Sequence, residues 1–165
     1  MIELAAAESP AKQRQPSPSD RELAEPGGPG ASRQLILYIE DNLSNLTLVE
    51  RILERHADAE LMPAMQDTIG FELARQHRPD LIMLDLHLPD MPGAEVLKRL
   101  KTKPSTRDIP VIVLTADASG RQAERVKQFG AAGYLTKPLD VAKLLEILAD
   151  KLGAQPDTGE ARNRN

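Results

Sequence analysis

Short apolar runs alternate with longer stretches of helical periodicity over most of the chain. The clearest runs span residues 81–85 and 111–115, where four apolar residues lead into one polar residue. Runs of this kind, bounded by turn-forming residues, are typical of strands buried on both faces of a parallel sheet. We therefore predict strands at these two positions, and weaker strands at 35–39, 60–65 and 132–136.

Between these strands, apolar residues recur at every third or fourth position. Leu46, Val49, Ile52 and Leu53 define one face of a helix for which Ser44 is the expected N-cap. The remaining helices are predicted at 68–76, 94–101, 121–128 and 140–152.

The alternation of five strands with five helices indicates an α/β fold with a parallel sheet covered on both faces. Right-handed crossovers leave few topologies, and the doubly wound order 2-1-3-4-5 is the usual one at this size. Pro63 cannot donate a hydrogen bond to a neighbouring strand, so we expect the second strand at a sheet edge.

The two ends of the chain differ in composition from its centre. Residues 1–33 hold five of the thirteen prolines and three of the ten glycines, so we predict a flexible tail or linker there. Residues 153–165 resemble them and are expected to form a disordered C-terminal tail. The folded domain is therefore predicted at 34–152.

Composition and charge argue against nucleic acids and membranes as binding partners. The net charge is −4, and no basic stripe or helix-turn-helix pattern is present, which argues against a nucleic-acid surface. No apolar run is long enough to span a membrane, and the N-terminus lacks the basic region of a signal peptide. We expect a cytoplasmic protein whose output is a contact with another protein.

Polar residues collect where the predicted strands end. Glu40 and Asp41 follow the first strand, Asp85 ends the third, Thr115 ends the fourth, and Lys137 lies just beyond the fifth. In the predicted topology these ends lie side by side. Three nearby carboxylates repel each other unless a cation lies among them, and an all-oxygen cluster suits Mg²⁺. An Asp beside a divalent ion, a Lys and a hydroxyl is arranged for phosphoryl transfer, with the Asp as nucleophile.

Each of these residues alone has an ordinary structural explanation. The acids could cap helices, Thr115 suits a strand end, and Lys137 could be a solvated loop residue. Their joint position at the carboxyl ends of the appropriate strands favours the functional interpretation.

At this point the sequence resembles the receiver domain of two-component response regulators, over residues 34–152. The motifs that carry the resemblance are Glu40-Asp41-Asn42, Asp85 with Leu88-Pro89-Asp90-Met91-Pro92-Gly93, Val113-Leu114-Thr115-Ala116, and Lys137-Pro138. The resemblance implies a flavodoxin-like receiver fold and a cis peptide bond between Lys137 and Pro138.

The resemblance also implies a role for each residue. Asp85 accepts a phosphoryl group from the phosphohistidine of a histidine kinase or of a histidine phosphotransfer protein. Asp41 and Asp85 bind Mg²⁺ directly, Glu40 binds it through water, and the backbone carbonyl of His87 is a further ligand. The His87 side chain is more simply interpreted as a solvent-facing neighbour than as a ligand or phosphodonor.

The same resemblance assigns a switch. Thr115 and Lys137 hold the phosphoryl oxygens, and Tyr134 is the switch aromatic. Positions 87 and 117, here His87 and Asp117, influence the lifetime of the phosphoryl group in this family. Phosphorylation then changes the face formed by helix 121–128, strand 132–136 and helix 140–152, which binds a downstream protein or forms a homodimer.

Several alternatives stay open from the sequence. A Mg²⁺-dependent phosphohydrolase with an aspartyl-phosphate intermediate is one, although it needs a second acid and a substrate pocket. A receiver-like interaction module that is not phosphorylated is another, and a nucleotide-binding flavodoxin-like domain is a weaker third because the first loop is acidic. The chain could be a single-domain regulator or the C-terminal receiver of a hybrid sensor kinase.

Overall fold

The computed structural model describes residues 33–56 and 58–153. The predicted tails, 1–33 and 153–165, lie outside these residues apart from Arg33 and Gly153. Within the described residues, five parallel strands form one sheet in the order β2-β1-β3-β4-β5. The strands are β1 (Gln34–Ile39), β2 (Ala59–Ala64), β3 (Leu81–Asp85), β4 (Val111–Thr115) and β5 (Gly133–Thr136). The predicted fold class and strand order are confirmed.

The helices alternate with the strands along the chain. They are α1 (Leu43–His56), α2 (Asp67–His77), α3 (Gly93–Thr102), α4 (Gly120–Gln128) and α5 (Val141–Leu152). All predicted strand and helix ends agree with these bounds to within one residue, except the start of α1.

Two apolar cores cover the two faces of the sheet. The period-two alternation of a strand explains the division: Leu37 and Ile39 of β1 point to one core, and Ile36 and Tyr38 point to the other. Helices α2, α3 and α4 contribute buried residues to the first core, whereas α1 and α5 contribute to the second. All residues of β3 and β4 are buried, as expected for central strands of a parallel sheet.

The prediction that Ser44 caps α1 is wrong. The side-chain oxygen of Asn42 accepts hydrogen bonds from the backbone N–H groups of Ser44 and Asn45, at 2.9 and 3.2 Å. The helix therefore begins at Leu43, two residues earlier than a Ser44 cap allows. Asn42, which directly follows Glu40 and Asp41, is therefore the N-cap of α1.

The prediction that the second strand lies at a sheet edge is confirmed. Pro63 lies in β2, which among the described strands pairs with β1 alone and so forms an edge of the sheet. Gly130 follows α4 with a φ of 94°, the left-handed conformation that favours glycine after a helix. In the described part of the chain, no helix has the length and apolar character needed to cross a membrane.

Candidate functional site

The carboxyl ends of four strands bring the predicted site residues together. Glu40 follows β1 and is 1% exposed, and Asp85 ends β3 and is 3% exposed. Thr115 ends β4 and is also buried, and Lys137 follows β5. Asp41, beside Glu40, is exposed to solvent. Two buried carboxylates at one edge of the sheet need compensating charge, because burial without a partner is costly.

Lys137 supplies part of that charge. Its ammonium group donates hydrogen bonds to Oδ2 of Asp85 and to Oε2 of Glu40, both at 2.8 Å. Burial lowers the pKa of Lys137, but the hydrogen bonds and charges of Asp85 and Glu40 outweigh burial and raise the pKa above its ordinary value. Lys137 is therefore a fixed cation beside Asp85.

Glu40 is occupied by donors from its own chain. Oε2 accepts hydrogen bonds from the Tyr38 hydroxyl at 2.8 Å, from Lys137 at 2.8 Å and from the Asn45 side chain at 3.1 Å. Oε1 accepts from the backbone N–H of Asn42 at 3.1 Å. Burial raises the pKa of Glu40, but the donors, Lys137 first, outweigh it and lower the pKa. The carboxylate is ionised and held in place.

Tyr38 is a site residue that the sequence analysis missed. Its ring belongs to the apolar core, while its hydroxyl donates to Glu40. Burial and then the charge of Glu40 raise the pKa of Tyr38 well above its usual range, so the phenol keeps its proton. The signal was available, because residues two positions apart on a strand point to the same face.

Glu40, Asp41 and Asp85 have carboxylate oxygens that lie close enough together to hold a metal ion. One oxygen from each of Glu40, Asp41 and Asp85 lies within 4.8 Å of the other two. Hard oxygen donors at this spacing suit a divalent cation such as Mg²⁺. The donor set therefore fits the metal that the sequence predicts.

The loop after β3 folds closely around Asp85. The backbone N–H of His87 donates to Oδ1 of Asp85 at 3.0 Å, and the mostly exposed His87 ring lies with Nδ1 3.8 Å from the same oxygen. Gly93 packs against this loop: a Cβ there would lie 2.5 Å from Cα of Leu86 and 2.7 Å from the carbonyl oxygen of Asp85. The glycine allows the start of α3 to approach the site.

Thr115 lies one strand away from Asp85, across the end of the sheet. Its hydroxyl accepts a hydrogen bond from the backbone N–H of Asp117 at 3.0 Å. Among the described residues, no hydrogen bond joins the Thr115 hydroxyl to Asp85 or to Lys137. The backbone N–H and the hydroxyl of Ser119 lower the pKa of Asp117. The loop after β4 is thus organised by Thr115 and Asp117.

Tyr134 lies on β5 beside Val113 of β4. It is half-buried and packs against the core that contains Leu84 and Val126. The predicted cis peptide bond between Lys137 and Pro138 is present at the end of the same strand.

Comparisons with known proteins agree with this fold. The family model described as "Response regulator receiver domain" matches residues 36–149. The polar-differentiation response regulator DivK of Brucella anthropi is 37% identical over 118 residues, which cover 72% of this chain and 95% of that protein.

Solved structures give the same result. The chemotaxis response regulator CheY4 of Vibrio cholerae matches with a TM-score of 0.67 at 27% identity, over 73% of this chain and 99% of that one. The Mn²⁺-bound form of the response regulator Rcp1 matches with a TM-score of 0.62 at 28% identity, over 76% of this chain and 96% of that one.

A doubly wound sheet with buried acids and a lysine at its carboxyl edge is the arrangement that the sequence predicts for a receiver domain. The chain belongs to the response regulator receiver domain family, since the family model covers more than half of it. It is therefore a receiver domain of two-component signal transduction. Membership of this family favours a receiver domain over the nucleotide-binding flavodoxin-like domain that the sequence left open.

Proposed function

We propose that Asp85 accepts the phosphoryl group from a phosphohistidine. Its two oxygens accept one hydrogen bond each, from the backbone N–H of His87 and from Lys137. Attack by a carboxylate oxygen forms a P–O bond as the P–N bond to the imidazole breaks. The 2.8 Å contact between Lys137 and Asp85 carries the proposal, because it provides fixed positive charge where the transferred group gains negative charge.

Asp41, Asp85 and the backbone carbonyl of His87 are proposed as direct ligands of Mg²⁺. Four donors from the chain already occupy Glu40, which supports ligation of the metal by Glu40 through water. Bound Mg²⁺ stabilises negative charge on the phosphoryl oxygens. The similarity to Rcp1, whose structure is of a Mn²⁺-bound form, supports a divalent cation at this site.

Thr115 and Tyr134 are proposed to convert phosphorylation into a change of surface. To reach a phosphoryl oxygen on Asp85, the Thr115 hydroxyl must leave the N–H of Asp117 and move inward. Tyr134, half-buried on the neighbouring strand, is placed to fill the space that Thr115 leaves. The phosphoryl group then shifts a balance between two existing states.

The proposed output surface is formed by α4, β5 and α5. Its exposed residues carry both signs of charge, which suits a specific protein partner or a second copy of the chain more than nucleic acid. These residues are Arg121, Glu124, Arg125, Lys127, Asp140, Lys143 and Lys151. The phosphodonor is proposed to be a histidine kinase or a histidine phosphotransfer protein.

We further propose that the domain catalyses only its own phosphorylation and dephosphorylation. The purified chain should be mixed with Mg²⁺ and isotopically labelled phosphoramidate, a small donor with the same P–N bond. We expect labelling that approaches one phosphoryl group per chain. Release of many phosphates per chain without accumulated label would instead favour the phosphohydrolase, and no label at all would favour the non-phosphorylated module.

A further inference from the structure

The two oxygens of the Glu40 carboxylate accept unequal numbers of hydrogen bonds. Oε2 accepts three, from the Tyr38 hydroxyl at 2.8 Å, the Lys137 ammonium at 2.8 Å and the Asn45 side-chain amide at 3.1 Å. Oε1 accepts one, from the backbone N–H of Asn42 at 3.1 Å. A carboxylate oxygen has two lone pairs, so Oε2 is saturated and Oε1 keeps one acceptor site.

Two of the three donors to Oε2 serve Glu40 alone. Lys137 also contacts Asp85, whereas the side chains of Tyr38 and Asn45 make no other hydrogen bond in residues 33–56 and 58–153. Tyr38 is 1% exposed and its ring packs in the core, so its hydroxyl is held at this position. Asn45 lies in the first turn of α1 and is half-buried. The phenol and the amide therefore keep Oε2 occupied from two different elements.

This occupation limits how Glu40 can bind a metal ion. Ca²⁺ takes six to eight oxygen ligands and often binds a carboxylate through both oxygens. Mg²⁺ is smaller, requires octahedral geometry and keeps several waters, so it needs fewer oxygens from the protein. A carboxylate with one acceptor site left can accept a hydrogen bond from a metal-bound water, but it cannot chelate the metal. The arrangement of donors around Glu40 therefore disfavours Ca²⁺ more than Mg²⁺.

We propose that Tyr38 and Asn45 are positioning residues that make the site select Mg²⁺ over Ca²⁺. Neither residue is a metal ligand, and both act through Oε2 of Glu40. The inference rests on the proposed metal site of Glu40, Asp41 and Asp85, and it adds the residues that determine which ion the site prefers.

The test is a calorimetric titration of the full chain with Mg²⁺ and with Ca²⁺, in wild type, Tyr38→Phe and Asn45→Ala. Each substitution removes one donor to Oε2 and leaves every proposed ligand in place. We expect the affinity for Ca²⁺ relative to Mg²⁺ to rise about threefold or more in each variant, because one hydrogen bond to a charged group is lost. Because both variants act on the same oxygen, Asn45→Ala serves if Tyr38→Phe does not fold.

Two further variants act as controls. Thr47→Ala removes a hydroxyl of α1 that donates to the backbone carbonyl of Leu43 at 3.0 Å, and it should leave the ratio of the two affinities unchanged. Asp41→Asn tests the metal site itself and should weaken the binding of both ions.

The outcomes separate the inference from the metal site on which it rests. If Asp41→Asn weakens both ions but the ratio does not rise in the folded Tyr38→Phe or Asn45→Ala variants, the inference is overturned and the site stands. An equal loss of both ions in these variants, which a merely structural role predicts, would also overturn it. If Asp41→Asn binds both ions as tightly as wild type, the metal site is misplaced and the inference fails with it.

Discussion

The ammonium nitrogen of Lys137 lies 2.8 Å from Oδ2 of Asp85. The contact crosses the end of β4, because β3 and β5 lie on either side of that strand. The same ammonium contacts Glu40, so one partly buried cation compensates two carboxylates that are almost inaccessible to water. We expect this arrangement to contribute to the stability of the site and to its proposed chemistry.

The first prediction concerns the cost of removing that cation. Lys137→Met should lower the free energy of unfolding by about 1–3 kcal/mol without metal, because two buried carboxylates lose a charged donor. Urea unfolding measures this value. Lys143→Met, at an exposed position on α5, is the control and should change stability by less than about 0.5 kcal/mol. Equal effects of the two substitutions would contradict the proposed role of Lys137.

The second prediction separates the two acids after β1. Asp41→Asn should weaken Mg²⁺ binding about tenfold or more, because a direct ligand loses its charge. Glu40→Gln should weaken it less, because Glu40 is occupied by donors of its own chain. Isothermal titration calorimetry compares the dissociation constants. Similar losses, or a larger loss in Glu40→Gln, would mean that Glu40 ligates the metal directly.

The third prediction concerns alkaline pH. The pKa of Tyr38 is raised above 10.0, so the folded chain keeps a proton that the unfolded chain releases. The stabilisation that comes from the raised pKa of Tyr38 is complete below pH 10. Above pH 10 it falls by up to about 1.4 kcal/mol per pH unit.

Urea unfolding near pH 9 and pH 11 measures the alkaline loss in wild type and in Tyr38→Phe. The variant lacks the ionisable phenol, so it should lose less stability over this interval. The raised pKa of Lys137 also makes stability fall in this pH range. Because Lys137 is present in both proteins, its contribution largely cancels when the two losses are compared. Identical losses would show that Tyr38 is not protected from ionisation.

The fourth prediction concerns the switch. Thr115→Ala should still be labelled on Asp85, because Thr115 makes no hydrogen bond to Asp85 among the described residues. It should lose most of the phosphorylation-dependent change at α4, β5 and α5, since the hydroxyl that must move is absent. Hydrogen exchange of Tyr134 and its neighbours, with and without phosphorylation, measures this change.

Thr102→Ala is the matched control, because it removes an exposed threonine hydroxyl at the end of α3. It should show the wild-type response. A full response in Thr115→Ala would mean that the signal leaves the site by a route other than Thr115 and Tyr134.

The sheet and the convergence of its polar strand ends could be predicted from the sequence. Four apolar residues before Asp85, and four before Thr115, identify central strands. The order of a doubly wound sheet then places their ends together. These features depend on residue type and spacing alone, which a sequence contains.

Other features depend on side-chain geometry and could not be predicted in this way. Asn42 and Ser44 are both good helix caps, and the path of the chain after β1 selects Asn42. The spacing of two residues between Tyr38 and Glu40 indicates a shared face, but the hydrogen bond between their side chains is seen only in the structure. The helix predicted at 68–76 begins one residue earlier, at Asp67, and the burial of that acid is not visible in the sequence.

The central claim is that Asp85 is the residue that receives the phosphoryl group. The most direct measurement is labelling from phosphoramidate with Mg²⁺, followed by mass spectrometry of the intact chain, in wild type, Asp85→Asn and Asp90→Asn. Asp90 is an exposed acid in the loop after β3 and serves as the matched control. We predict one added phosphoryl group in wild type and in Asp90→Asn, and none in a folded Asp85→Asn. Undiminished labelling of Asp85→Asn would contradict the claim.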